Sequence, residues 1–181
     1  MIDEELVFDI GGYNIGIGIL RIKDGCFKRY QDNDLIIGAN RLLNAKRIIS
    51  FNASNETAYD QKELRKILNL SANAIIPFKG THDDMLKICY GTKKMESDGH
   101  RNQGYFGMNL REIYLIRFKT QLPAPDTNRG HLLNDVLATY QLWTCWREGT
   151  LLVDYIEDKS TAIDEATKLA ANLPPVILRT L

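Results

Sequence analysis

The sequence has no surplus of charge of either sign: 23 lysines and arginines stand against 23 aspartates and glutamates. It therefore lacks the broad positive field that holds a protein on phosphate backbones whatever their sequence. That excludes a tightly binding architectural protein and leaves any nucleic-acid affinity local or metal-mediated. Cysteine is scarce too. Cys26, Cys89 and Cys145 are odd in number, far apart and without CxxC or metal-finger spacing, so the three thiols are expected to be reduced and buried. No apolar run approaches the roughly 18 residues of a membrane span, and the opening "MIDEEL" is acidic where a signal peptide would be basic. A cytoplasmic chain with no membrane partner is the expectation. No serine or cysteine has a base partner in sequence, which leaves covalent nucleophilic catalysis without support, and no internal repeat or low-complexity block is visible.

What is present is an ordinary globular mixture, 44% hydrophobic and 25% charged over 181 residues, enough for one sizeable core. "LVFDI" (6–10), "NIGIGILRIK" (14–23) and "CFKRY" (26–30) read as three strands, the last two joined by a "KDG" turn. Leu35, Ile36, Ala39, Leu42 and Leu43 recur at helical spacing, with Asp32 or Asn33 as cap. "RIISFN" (47–52) reads as a buried strand, "ETAYDQKELRKILNL" (56–70) as a helix with Ala58, Leu64, Ile67 and Leu68 inward, "AIIPF" (74–78) as a short strand and "GTHDDMLKICYG" as a helix. This order, βββαβαβ, predicts an α/β fold whose sheet starts antiparallel and continues through parallel crossovers, flanked by helices. Residues 91–107 read as a surface loop and 108–119 as a helix. The longest helical signal, "HLLNDVLATYQLWTCWREG" (131–149), stops at Gly149. Residues 1–156 are expected to form the domain, and 157–181 a helical tail halted by Pro174 and Pro175.

Two stretches carry possible chemistry. His131 and Asp135 lie four apart, so both project from one face of the long helix; a solvated polar pair is the plain alternative to a carboxylate for a metal and an imidazole for a water. "DIGGY" (9–13) places an aspartate at the end of an apolar strand and before two glycines. Backbone N–H groups of a glycine turn can cradle phosphate, and "DIGGYNIGIGIL" is locally similar to the phosphate hairpin of the sugar kinase and actin group. That group has threonine or serine where Tyr13 stands and needs a second domain that 181 residues do not supply.

Together, "LVFDI", "RIISFN" with "AYDQKEL" behind it, "THDDMLK" and "HLLNDVLATYQLW" resemble, in order, the ribonuclease H-like 3′–5′ exonucleases of the DEDD superfamily, and within it the YprB-like branch. The resemblance covers most of residues 6–153 and implies a ribonuclease H-like mixed sheet. It also implies hydrolysis of phosphodiester bonds in single-stranded DNA or RNA with Mg²⁺ or Mn²⁺. By the resemblance Asp9, Asp60 and Asp135 are metal ligands, with Glu56 a rival to Asp60. His131 stands in the place of the general base, and Asn52 matches the asparagine before the second motif. Asp84 matches an aspartate that is structural or substrate-adjacent. Two departures stand out. Gly11 occupies the position of the first motif's glutamate, and His131 precedes Asp135 by four residues, the spacing of tyrosine-bearing members. Two ions need several carboxylates, so turnover is expected to be impaired unless Glu56, Glu4 or Glu5 replaces the missing acid. A catalytically inactive module that binds nucleic acid or protein through the same cleft is the alternative.

Lys93, Lys94 and Arg101, beside Tyr105 and Phe106, are candidate backbone and base contacts for a single strand, or simply solvated loop residues. His82, Asp83 and His100 make no zinc spacing, and His82 is read as an exposed cap on "DDMLK". Trp143 and Trp146 are read as core and edge packing.

Overall fold

Strand alternation decides which side of the sheet each residue serves. In β1 (Ile2–Gly11) Leu6, Phe8 and Ile10 face one way and Val7, Asp9 and Gly11 the other. The first set packs with Ile17, Ile19, Ala39, Leu42 and Leu64 in one core. Val7 joins Leu20, Ile49, Met85, Val136 and Trp143 in a second core on the opposite face. Asp9 therefore lies on the side of the second core, where the strand runs out.

The computed structural model describes residues 2–11, 14–53, 58–90, 108–122, 128–151 and 158–172. β1 pairs antiparallel with β2 (Gly16–Arg21), which pairs antiparallel with β3 (Cys26–Gln31). On its other side β1 runs parallel to β4 (Ala45–Ser50), and β4 runs parallel to β5 (Thr81–Asp84). The order β3-β2-β1-β4-β5 is the expected α/β mixed sheet, consistent with a ribonuclease H-like arrangement. A 3-10 turn at Asp32–Asp34 leads into α1 (Leu35–Asn44), and α2 (Tyr59–Ile67) follows β4; both pack on the Leu6 side of the sheet. α3 (Met85–Tyr90), α4 (Leu110–Phe118) and α5 (Asn128–Arg147) contribute to the other core, and α6 (Lys159–Ala171) packs on α4. No described helix is long and apolar enough to cross a membrane.

Several expectations need correction. "AIIPF" is not a strand: Ile76 is buried but Ile75 is 86% exposed, and Pro77 has no N–H to give a ladder. The fifth strand is instead "THDD", expected as the start of a helix. Gly80 is what lets it in, because a Cβ there would collide with the backbone carbonyls of Ala45 and Lys46. His82 is consequently no exposed cap. It lies in β5 between the rings of Phe8 and Phe78 and shares a 2.8 Å hydrogen bond with Ser50 Oγ. Ile36, part of the apolar helical pattern, is 42% exposed, and the buried residues of α1 are Gly38, Ala39 and Leu42. Among the cysteines, Cys89 is buried but Cys26, on edge strand β3, is exposed. Trp143 is buried, and its indole N–H donates to Asp83 at 2.9 Å, while Trp146 is half-exposed.

Candidate metal centre

The carboxyl ends of the parallel strands β1, β4 and β5 meet at one edge of the sheet, the usual place for a site in an open α/β sheet. Asp9 projects there toward α5. The helix can come close at Leu132 because β2 has glycines at positions 16 and 18 below it: a Cβ on Gly18 would sit 3.1 Å from Leu132 Cβ, and one on Gly16 3.1 Å from Leu132 Cδ1. These two glycines thus have a packing role that needs no phosphate. His131 and Asp135, one turn apart beside Leu132, are brought down onto Asp9. Asp9, His131 and Asp135 each offer one ligand atom, and the three atoms lie within 4.8 Å of one another. Ligands of an ion bonded at about 2.1 Å are at most about 4.2 Å apart, so side-chain rotations of under about 1 Å would close the group on a cation.

The electrostatics fit that use. Burial, reinforced by Asp60 and Asp135, pushes the Asp9 carboxyl well above its ordinary range. Asp60, only 8% exposed in the first turn of α2, is pushed up to about 7 by burial and by Asp84 and Asp135. Asp135 is raised by burial and drawn back by His131 and Arg111. Among the described residues no cation pairs with Asp9 or Asp60. A divalent ion would relieve this repulsion, since it becomes the largest local charge and favours every ionised carboxylate around it.

Unmet polar atoms point the same way. His131 Nδ1 lies 2.9 Å from Asp135 Oδ2, yet the two are not aligned as donor and acceptor, and Nδ1 is buried without a hydrogen bond. Asp135 Oδ1 is also buried without one. Buried lone pairs left unmatched are rare and call for a partner. The residues present therefore fit a metal ion.

Beside this group opens a cavity of about 470 Å³, lined by Asp9, Phe51, Asn52, Asn109, Glu112, Asp135 and Lys159 among others, a size suited to a small ligand or one end of a longer one. Its far wall is the start of α4, where Asn109 and Glu112 form a reciprocal capping box. Lys159 Nζ reaches Glu112 Oε2 at 3.1 Å from α6.

The remaining expected residues divide clearly. Asn52 lines the cavity with a left-handed backbone, φ 69°, and its N–H donates to Asp84 Oδ1 at 2.8 Å. The Leu86 N–H donates to the same oxygen at 3.0 Å. Of the two roles open to Asp84, these contacts support the structural one, a clasp between the β4 end and the β5–α3 junction. Asp60 stands beside the three-residue group, near enough to raise Asp9, but not within it. Glu56, Lys93, Lys94 and Arg101 lie outside the described residues. Glu4 and Glu5 cannot supply the acid that the resemblance would place at position 11. Both sit at the opposite end of β1, Glu4 paired to Arg41 and Arg21 and Glu5 to Arg47, and at about 3.3 Å per residue Glu5 is about 13 Å from Asp9.

Arg111, Asn109, Glu112 and Lys159 were not singled out by sequence. The capping-box pattern Asn-x-x-Glu at 109–112 was a readable signal for the helix start, and nothing local marks Arg111 as a neighbour of Asp135. Comparison of the chain with protein-family models, with curated proteins and with solved structures gives no match.

Proposed function

We propose that this protein is a metal-dependent phosphodiesterase of the 3′–5′ exonuclease type, acting on ends of single-stranded DNA or RNA with Mg²⁺ or Mn²⁺. The single observation supporting the reading is the convergence of Asp9 and Asp135, remote in sequence, with His131 at the carboxyl ends of the parallel strands. A hard-oxygen donor set with one imidazole suits Mn²⁺ and Mg²⁺ better than softer metals. Asp9 and Asp135 would hold the ion, and Asp60 adds negative charge behind them. When bound, the ion would neutralise charge at the phosphorus centre and favour deprotonation of the attacking water. His131 takes that proton, and the adjacent Asp135 carboxylate stabilises the imidazolium that results. The water oxygen bonds to phosphorus, the bond from phosphorus to the oxygen of the neighbouring nucleotide breaks, and that leaving oxygen picks up a proton. The strand end enters the cavity past Phe51 and Asn52.

A second reading, a module that binds nucleic acid without cutting it, is favoured by Gly11, which leaves the first-motif acid missing. Digestion of end-labelled single strands with Mg²⁺ or Mn²⁺ separates the two. Hydrolysis that is lost in Asp135→Asn supports the exonuclease; retained strand binding without hydrolysis supports the inactive module. His131→Gln distinguishes the roles of the imidazole. Loss of hydrolysis with Mn²⁺ affinity kept within about threefold makes it a proton acceptor, whereas loss of both makes it a ligand.

A further inference from the structure

The two oxygens of Asp135 face different neighbours. Oδ2 looks to His131, whereas Oδ1 lies 3.6 Å from Arg111 Nη2. At that separation the pair is too long to hydrogen-bond, and both Oδ1 and Nη2 are buried with no hydrogen-bond partner. A guanidinium N–H and a carboxylate oxygen left unmatched side by side are unfavourable for the fold, and yet the helix turn that carries Arg111 is well anchored. Arg111 sits in the first turn of α4, between the two residues of the Asn109–Glu112 capping box, and α4 is braced by both α5 and α6.

Two-ion centres need carboxylates that bridge the ions, and here Gly11 stands where an acid would be, with Glu4 and Glu5 committed elsewhere. Resting on the exonuclease reading above, we propose that Arg111 is the fixed second cation of a one-ion centre. A single divalent ion would sit with Asp9 and Asp135, and the Arg111 guanidinium, which lines a smaller pocket that shares Glu112 with the cavity, would turn its Nη2–H from its enclosed place beside Asp135 to a non-bridging phosphoryl oxygen of the bound strand. The chemistry matches: a guanidinium is always charged, presents a planar fork to phosphate oxygens and needs no ligands of its own. The same charge has an opposite effect on the ion. A cation beside Asp135 weakens that carboxylate as a ligand, so the centre gains a phosphate contact while holding its ion less tightly.

The test counts ions and measures turnover separately on the full chain. Free Mn²⁺ is followed by its paramagnetic resonance signal during titration near pH 8. Wild type is expected to bind one Mn²⁺; Arg111→Gln is expected to bind it at least about threefold more tightly while hydrolysis of a labelled single strand drops at least about tenfold. Arg111→Lys keeps the charge without the fork, so its Mn²⁺ affinity should stay at the wild-type value and its turnover should fall between the two. Two bound Mn²⁺ in wild type overturns the proposal, as does an Mn²⁺ affinity that is the same in the Gln and Lys variants. If wild type hydrolyses nothing, the exonuclease reading fails by itself. The one-ion arrangement is then judged on Mn²⁺ alone, supported by tightening in Arg111→Gln and overturned by its absence.

Discussion

At the start of β1, Glu4 lies against Arg41 at 2.8 Å and Arg21 at 3.4 Å, and Glu5 against Arg47 at 3.1 Å. At its end, Asp9 lies among Asp60 and Asp135 with no cation of its own among the described residues. The guanidinium of Arg41 holds the Glu4 carboxyl below its ordinary range, while burial and like charge hold Asp9 well above it. The contrast extends to β5, where Asp83 binds Arg47 and the Trp143 indole and Asp84 next to it turns to backbone N–H groups. One end of the sheet uses its acids to tie strands and helices together. The other leaves Asp9 and Asp60 without a paired cation among the described residues and gives Asp135 only His131 and a loose Arg111, an arrangement typical of a functional site.

If that contrast is real, substitutions at the two ends should act in opposite directions. The largest effect is expected from Asp135→Asn, which removes a ligand: divalent-ion affinity should fall by about a hundredfold or more, about 2.7 kcal/mol, in a Mn²⁺ titration, with little loss of folding stability. Next comes Asp60→Asn. The folded-state pKa of Asp60, about 7, lies above its ordinary 3.8. Between those values the native state therefore binds more protons than the unfolded chain, and stability falls as pH rises through the window from about 4 to 7. The metal-free protein should melt at a lower temperature at pH 8 than at pH 5. Asp60→Asn should flatten that slope and stabilise the metal-free protein at pH 8 by about 1–3 kcal/mol in denaturant unfolding.

Glu4→Gln probes the other end. Because the Glu4 carboxyl is lowered in the folded state, its contribution is present above its ordinary value near 4.5 and fades as pH falls below it. The variant should lose about 1 kcal/mol at pH 7 and less at pH 3. The smallest effect is expected from Gly11→Asp. A Cβ there would be 3.8 Å from Asp9 Oδ2 and 3.9 Å from Leu132 Cδ2, ordinary contacts, so the position is open and adjoins the acids. An acid placed there should tighten Mn²⁺ by about three- to fivefold. No gain would count against the idea that a ligand has been lost from this position.

Much of this arrangement was readable in the chain, and the failures have physical causes. β1 to β3 and the 131–149 helix were legible because short runs of β-forming residues between turn signals mark the strands and apolar residues recur at helical spacing in the helix. Their ends were not, since β1 begins at the charged Ile2–Glu5, whose pairing depends on arginines from other elements. β5 was missed because a four-residue strand whose side chains are all polar has no apolar alternation. Its place is set by Gly80 against the Ala45–Lys46 backbone and by His82 against Phe8, contacts remote in sequence. At the site, Asp9, His131 and Asp135 could be nominated by spacing and by motif order. Arg111 could not, because its significance arises only when α4 is laid against α5. The meaning of Gly16 and Gly18 likewise emerged only with Leu132 above them.

The most direct test is diffraction from crystals soaked in Mn²⁺ near pH 8, with data collected where manganese scatters anomalously. A single anomalous peak within bonding distance, about 2.0–2.4 Å, of carboxylate oxygens of both Asp9 and Asp135 is the predicted result. Absence of any peak between those two side chains at saturating Mn²⁺ would contradict the account.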